Sequence, residues 1–195
     1  SASIPPPMNI EHLRQRLRAL GAKPAHEALV LRNWTRALPL GAGRSQAEDF
    51  LPRELRQDLP ALAEALRGLA RLRSAHPGAD GVRLLLELAD GQTVESVLLP
   101  RGGLCVSTQV GCAVGCTFCM TGRDGLLRQV GSAEIVAQVA LARRQRAVKK
   151  VVFMGMGEPS HNLDNVLDAI DLLGTAGNIG HKNLVFSTVG DARVF

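Results

Sequence analysis

The chain has 195 residues, of which 46% are hydrophobic and 21% charged, the values of an ordinary globular protein and not of a disordered or collagen-like one. No run approaches the roughly 20 consecutive apolar residues that a membrane-spanning helix needs. Residues 1–8, with three prolines, contain no secretory signal core, so the sequence predicts a cytoplasmic protein with no membrane partner. A net charge of +5 mildly favours a polyanionic partner, whereas one Trp, no Tyr and five Phe argue against a single-strand binder built on aromatic stacking.

Residues 9–73 read as helical. Ile10, Leu13, Leu17 and Leu20 recur at helical spacing, and Gly21 supplies a stop. A second helix is expected over 25–38, ending at Pro39, and a third over 61–72 with Leu62, Leu66 and Leu69 on one face. Arg14, Arg16 and Arg18 stand off the apolar stripe of the first helix, as a solvated face or as an RNA contact. His76-Pro77-Gly78 then breaks the helical pattern, and two β-rich runs follow over 82–87 and 93–98. Asp90-Gly91 between them is a strong hairpin signal, and Pro100 closes the hairpin. The change of pattern near Ala75 suggests a helical accessory domain over 1–75, a hairpin over 76–100 and a core domain over 101–195.

From Leu104 the order is strand (104–107), loop, helix (132–146, with Ser132 as N-cap), strand (151–154), loop, helix (163–173), strand (184–187). Alternation of this kind implies an α/β fold with a parallel sheet covered by helices. The basic residues Arg143, Arg144, Arg146, Lys149 and Lys150 end the first of these helices, where they either satisfy last-turn carbonyls or face RNA.

Cys112, Cys116 and Cys119 form a C-x3-C-x2-C segment. Three thiolates on one short loop can ligate three irons of a [4Fe–4S] cluster and leave the fourth open to an external chelating group. Two other chemistries fit the thiols: a closed zinc site with Cys105 as fourth ligand, and disulfides, which a reducing compartment disfavours. A second glycine-rich segment, residues 153–159 (FMGMGEP), follows directly from a strand, where Glu158 offers a carboxylate to a cationic ligand group. Parallel α/β folds bind ligands at the carboxyl ends of their strands, and the cysteine loop, the Gly-Glu segment and Ser187 all fall there.

The segments LCVSTQVGCAVGCTFC (104–119), MGMGEP (154–159) and FSTVG (186–190) resemble the RlmN/Cfr family of radical S-adenosylmethionine RNA adenine methyltransferases. The resemblance implies a helical N-terminal domain followed by a partial radical SAM (βα) barrel of which the first three strands are present. It implies that Cys112, Cys116 and Cys119 hold a [4Fe–4S] cluster. The open iron would chelate S-adenosylmethionine, with Gly157 and Glu158 at its methionine moiety, Ser187 hydrogen-bonded to it and Phe118 beside its adenine. Glu95 matches the family's proton acceptor, and Cys105 the cysteine that resolves a covalent protein–RNA intermediate. The implied reaction is methylation of adenosine C2 in 23S rRNA and tRNA by a monomer fed by an external electron donor such as flavodoxin. Alternatives are methylation at C8, as in the Cfr branch, or a non-catalytic zinc-binding module that holds RNA. The family's methyl-carrying cysteine lies near its C-terminus, and no cysteine follows Cys119, so the chain reads as C-terminally truncated.

Overall fold

The computed structural model describes residues 8–43, 50–111, 126–154 and 162–186. Asn9 opens helix α1 (Ile10–Ala19) with a reciprocal cap: its side-chain oxygen accepts the His12 N–H at 2.9 Å, and His12 Nδ1 accepts the Asn9 N–H at 3.4 Å. Gly21, at φ +88°, takes the left-handed conformation that ends the helix. Helix α2 (Pro24–Thr35) begins on a proline whose φ is already helical. Helix α3 (Arg53–Gly68) buries Leu55, Leu62 and Leu66.

The leucine spacing misplaces this third helix. It starts eight residues before residue 61 and stops at Gly68, and the residues read as its last turn enter strand β1 (Ala70–Gly78), which also takes up the segment 76–78 read as a breaker. Only Ala70 is buried in β1. An edge strand exposed on both faces has no apolar alternation for a sequence pattern to report.

Strands β2 (Gly81–Leu88) and β3 (Thr93–Leu99) form the expected hairpin, with Gly91 at φ +87° in its turn. Strand β4 (Gly103–Ser107) runs antiparallel to β3. The short strands β5 (Gln109–Gly111) and β6 (Leu126–Gln129) then pair with each other, and helix α4 (Ser132–Arg143) leads to β7 (Lys150–Met154). Helix α5 (Leu163–Thr175) leads to β8 (Leu184–Phe186). The main sheet has the order β1-β2-β3-β4-β7-β8, with β4, β7 and β8 mutually parallel. The α/β expectation and its three parallel strands are therefore present.

Helix α4 is buried from Ser132 to Ala142, the behaviour of a helix apolar on every side. It lies between the sheet and α1, α2, α3 and α5. Its cap differs from the expected one: Gly131 is the N-cap, and its N–H is taken by Glu134 Oε1 at 2.9 Å. Ser132 instead joins two elements, its hydroxyl accepting the Ile10 N–H at 2.9 Å and its own N–H donating to Asn165 Oδ1 at 3.0 Å. Leu17, Leu31, Leu55, Leu84, Leu104, Ile135, Phe153 and Leu173 belong to one buried cluster that runs across residue 75.

Two arginines of the basic run at the end of α4 work within the fold, while Arg144, Lys149 and Lys150 are exposed. Arg143 donates to the carbonyls of Thr35, Gly177 and Val148, and Arg146 to those of Leu99 and Gly103, so these two guanidiniums staple the amino ends of the parallel strands to the outer helices. Burial, reinforced by the nearby Arg36 charge, pushes the Arg143 pKa down. The arginines of α1 are likewise engaged: Arg16 with Asp58 at 3.1 Å, and Arg18 with Glu11 at 3.2 Å and Glu27 at 3.4 Å.

Candidate cofactor and catalytic site

The carboxyl ends of the three parallel strands are level. Ser107 of β4 lies opposite Met154 of β7, and Phe153 of β7 lies opposite Phe186 of β8. The chain leaves this edge toward the cysteine segment, toward residues 155–161 and toward Ser187. The three candidate segments thus depart side by side, from the end of a parallel sheet at which such folds bind ligands.

The cysteine segment hangs from a paired stem. Gln109 lies opposite Gln129, Val110 opposite Arg128 and Gly111 opposite Leu126, so β5 and β6 hold the two ends of the loop together. The base is closed again where the Val130 N–H donates to the Thr108 carbonyl at 3.1 Å. Arg128 clamps this stem to the rest of the fold. Its guanidinium binds Asp90 through Nε at 2.8 Å, Glu134 through two nitrogens at 2.8 and 2.7 Å, and the Gln129 carbonyl at 2.9 Å. The hairpin turn, the cysteine stem and the start of α4 therefore share one ionic junction, with side-chain exposures of 15% for Arg128, 8% for Asp90 and 4% for Glu134. Burial raises the Asp90 pKa, but the hydrogen bond and charge of Arg128, together with backbone donors, outweigh it and hold the carboxyl below its ordinary value.

The other pair of candidates, Glu95 and Cys105, shares a face of the sheet. Val97 is the register partner of Cys105. Glu95 stands two residues before Val97 on β3, so it projects to the same side, diagonal to Cys105. On the opposite side Val94, Leu98, Leu104 and Val106 are buried against the helices. Glu95 faces Arg83, with Nε and Oε1 3.8 Å apart, and its side chain is 38% exposed, whereas Cys105 is buried at 8%. Beneath the two strands lies a buried polar knot. The Gln138 side-chain oxygen accepts Ser96 Oγ–H at 2.8 Å and the Ser107 N–H at 2.9 Å, while its nitrogen donates to the Ser107 carbonyl at 2.8 Å. The Ser107 hydroxyl donates to the Glu95 carbonyl. Gln138 thereby pins the residue after Glu95 to the residue two beyond Cys105.

Glu95 and Cys105 are thus brought together. Cys112, Cys116, Phe118, Cys119, Gly157, Glu158 and Ser187 lie outside the described residues, which fix only the points where their segments leave and rejoin the sheet. Sequence reading missed the supporting groups Arg128, Asp90, Glu134, Gln138 and Asn162. Buried polar side chains with partners distant in the chain leave no local periodicity; the only available signal was Gln138 on the otherwise apolar stretch of α4.

The sequence model of the radical SAM superfamily matches residues 106–192. A probable RNA methyltransferase of Aromatoleum aromaticum is 76% identical over 188 residues, covering 96% of this chain and 53% of the relative. One of Pseudomonas aeruginosa is 71% identical over 191 residues, covering 96% of this chain and 55% of the relative. The chain spans about half the length of the curated relatives it matches. The crystal structure of a radical SAM methyltransferase from Sphaerobacter thermophilus superposes with a TM-score of 0.69 at 32% identity, over 93% of this chain and 55% of that one.

Proposed function

Because residues 106–192 carry radical SAM sequence on the three parallel strands of a partial radical SAM barrel, we propose that this protein is a radical S-adenosylmethionine methyltransferase acting on C2 of adenosine in 23S rRNA and tRNA. The observation that carries the proposal is the level edge of β4, β7 and β8, from which the cysteine hairpin, the Gly-Glu segment and Ser187 all depart. Support for RNA as substrate comes from the names of the relatives.

Three thiols on a stem-closed loop are a donor set that suits three irons of a [4Fe–4S] cluster, and Cys112, Cys116 and Cys119 would hold it. With S-adenosylmethionine bound, that cluster supplies one-electron reductive cleavage of the cofactor, which an electron-poor aromatic carbon such as C2 requires in place of direct transfer of an electrophilic methyl. Gly157 and Glu158 would hold the methionine moiety, the glycine by leaving room and the carboxylate by its charge, while Ser187 would hydrogen-bond the cofactor and Phe118 would lie by its adenine. Glu95 would accept the proton that leaves C2. The thiolate of Cys105, diagonal to it on the same face, would attack the sulfur of the thioether that the family forms between its late methyl-carrying cysteine and C2. That attack would make a disulfide with the late cysteine as the sulfur–carbon bond breaks and the freed carbon takes up a proton to become the methyl group. Glu95 is open enough to receive a base.

The test is anaerobic incubation of the protein extended to the family's full length, including its late methyl-carrying cysteine, with reductant, methyl-labelled S-adenosylmethionine and protein-free 23S rRNA or tRNA, followed by nucleoside mass spectrometry. Label at adenine C2 is expected. Label at C8 moves the protein to the other regiochemistry, and label confined to ribose or to other bases overturns the reading.

A further inference from the structure

Asn162 stands at the N-terminal boundary of α5, where an asparagine side chain ordinarily accepts a backbone N–H of the first turn. It makes no such cap. Its amide nitrogen instead donates to the carbonyls of Thr108 and Val130, both at 2.8 Å, and its oxygen accepts from Asn165 Nδ2 at 2.8 Å. Asn165 Oδ1 in turn accepts the Ser132 N–H at 3.0 Å.

Thr108 and Val130 are the two feet of the cysteine-bearing hairpin, and they are bonded to each other. Residue 162 is the first described residue after the segment that contains Gly157 and Glu158. One buried side chain therefore ties the exit of β4, the entry to α4 and the end of the Gly-Glu segment. Both amide hydrogens are used, so moving the feet away from Asn162 takes this donor from the Val130 carbonyl and leaves the Thr108 carbonyl with its bond from the Val130 N–H alone. Such a fully satisfied amide favours one relative placement of the segments it joins.

We propose that Asn162 is a positioning residue that sets the cysteine hairpin in register with the Gly-Glu segment, so that S-adenosylmethionine meets the ligands of both at once. This deepens the radical SAM reading and rests on it. Asn162 acts through the backbone of Thr108 and Val130 and touches neither cofactor nor substrate.

The discriminating variant is Asn162→Asp, which keeps size and shape but replaces a two-hydrogen donor with an oxygen facing two carbonyls. In the anaerobically reconstituted protein, iron per chain is measured first. S-adenosylmethionine is then titrated against the electron paramagnetic resonance signal of the reduced cluster. Positioning predicts iron content close to wild type and a titration midpoint raised about tenfold or more. A midpoint within about twofold of wild type, with only the melting temperature lowered, is a purely structural role and overturns the proposal. A second measurement needs no variant. Hydrogen exchange of the wild-type protein is expected to slow at the Val130 and Ser132 amides when S-adenosylmethionine is added, and unchanged exchange there counts equally against it. Failure of the wild-type protein to bind S-adenosylmethionine sinks the radical SAM reading itself, whereas wild-type binding with an unchanged variant midpoint sinks the positioning role alone.

Discussion

Replacing Arg128 by Leu tests whether the ionic junction at the foot of the cysteine hairpin holds the fold together. The substitution deletes every hydrogen bond from the guanidinium to Asp90 and Glu134, while leaving two carboxylates whose side chains are 8% and 4% exposed. Removing one partner of a buried ion pair costs about 3–5 kcal/mol, because the remaining charge stays buried without compensation. The Arg128 side chain is 15% exposed, which places the loss near the lower end, about 3 kcal/mol. For a chain of this size that corresponds to a fall in melting temperature of roughly 6–12 °C. The pH dependence separates this cause from lost packing. In the wild-type protein the Asp90 pKa is depressed, so its contribution is present above the ordinary carboxylate value of 3.8 and is lost only as pH falls through the lower folded value. Without Arg128 burial dominates and raises the Asp90 pKa, so the variant regains stability on protonation and its deficit shrinks as pH is lowered from 7 toward about 4.5. Urea unfolding followed by circular dichroism at several pH values measures the gap. A deficit below about 1 kcal/mol, or one that does not change with pH, refutes the reasoning.

The Gln138→Met variant leaves the Ser107 N–H, the Ser107 carbonyl and the Ser96 hydroxyl without their buried partner; at about 1–3 kcal/mol for each unmet group, chemical denaturation is expected to show a loss of at least about 3 kcal/mol. A Cβ at Gly131 would stand 2.0 Å from the Met8 carbonyl oxygen, so Gly131→Ala is expected to push residues 8–13 off α4, to cost about 1–3 kcal/mol and to speed amide exchange in α1. The Glu95→Gln change falls on a side chain that is 38% exposed and loosely paired; stability is expected to shift by less than about 0.5 kcal/mol while the methylation rate of the protein extended to the family's full length falls by roughly 100-fold or more. Loss of stability in place of loss of rate would make Glu95 a structural residue.

The parts of the fold legible in the sequence were those governed by local chemistry. Asp90-Gly91 announced its hairpin because a tight turn demands those residue types, and the apolar run over 151–154 announced a strand whose Val151 and Phe153 are fully buried. Strand β1 was illegible because both of its faces meet solvent, so Arg71, Leu72 and Arg73 carry no alternation. Ser132 looked like a cap, yet its hydroxyl serves Ile10, 122 residues away, a partner that no local pattern can indicate. The same holds at the site. The family resemblance singled out Glu95 and Cys105, and the strand register brings them onto one face. The groups that hold that face and the cysteine stem in place, Gln138, Asn162 and Arg128, act across 31 to 54 residues of chain or within ionic clusters, and the sequence order of their partners conveys nothing about them.

Metal analysis of the protein after anaerobic reconstitution with iron and sulfide tests the central claim most directly. A [4Fe–4S] centre on Cys112, Cys116 and Cys119 predicts about four irons and four sulfides per chain, a broad visible absorption that bleaches with dithionite, and loss of both on replacing any one of the three cysteines by Ala. The reduced cluster's paramagnetic signal is expected to change when S-adenosylmethionine is added. One zinc per chain with no bound iron, retained only while Cys105 is present, would contradict the account.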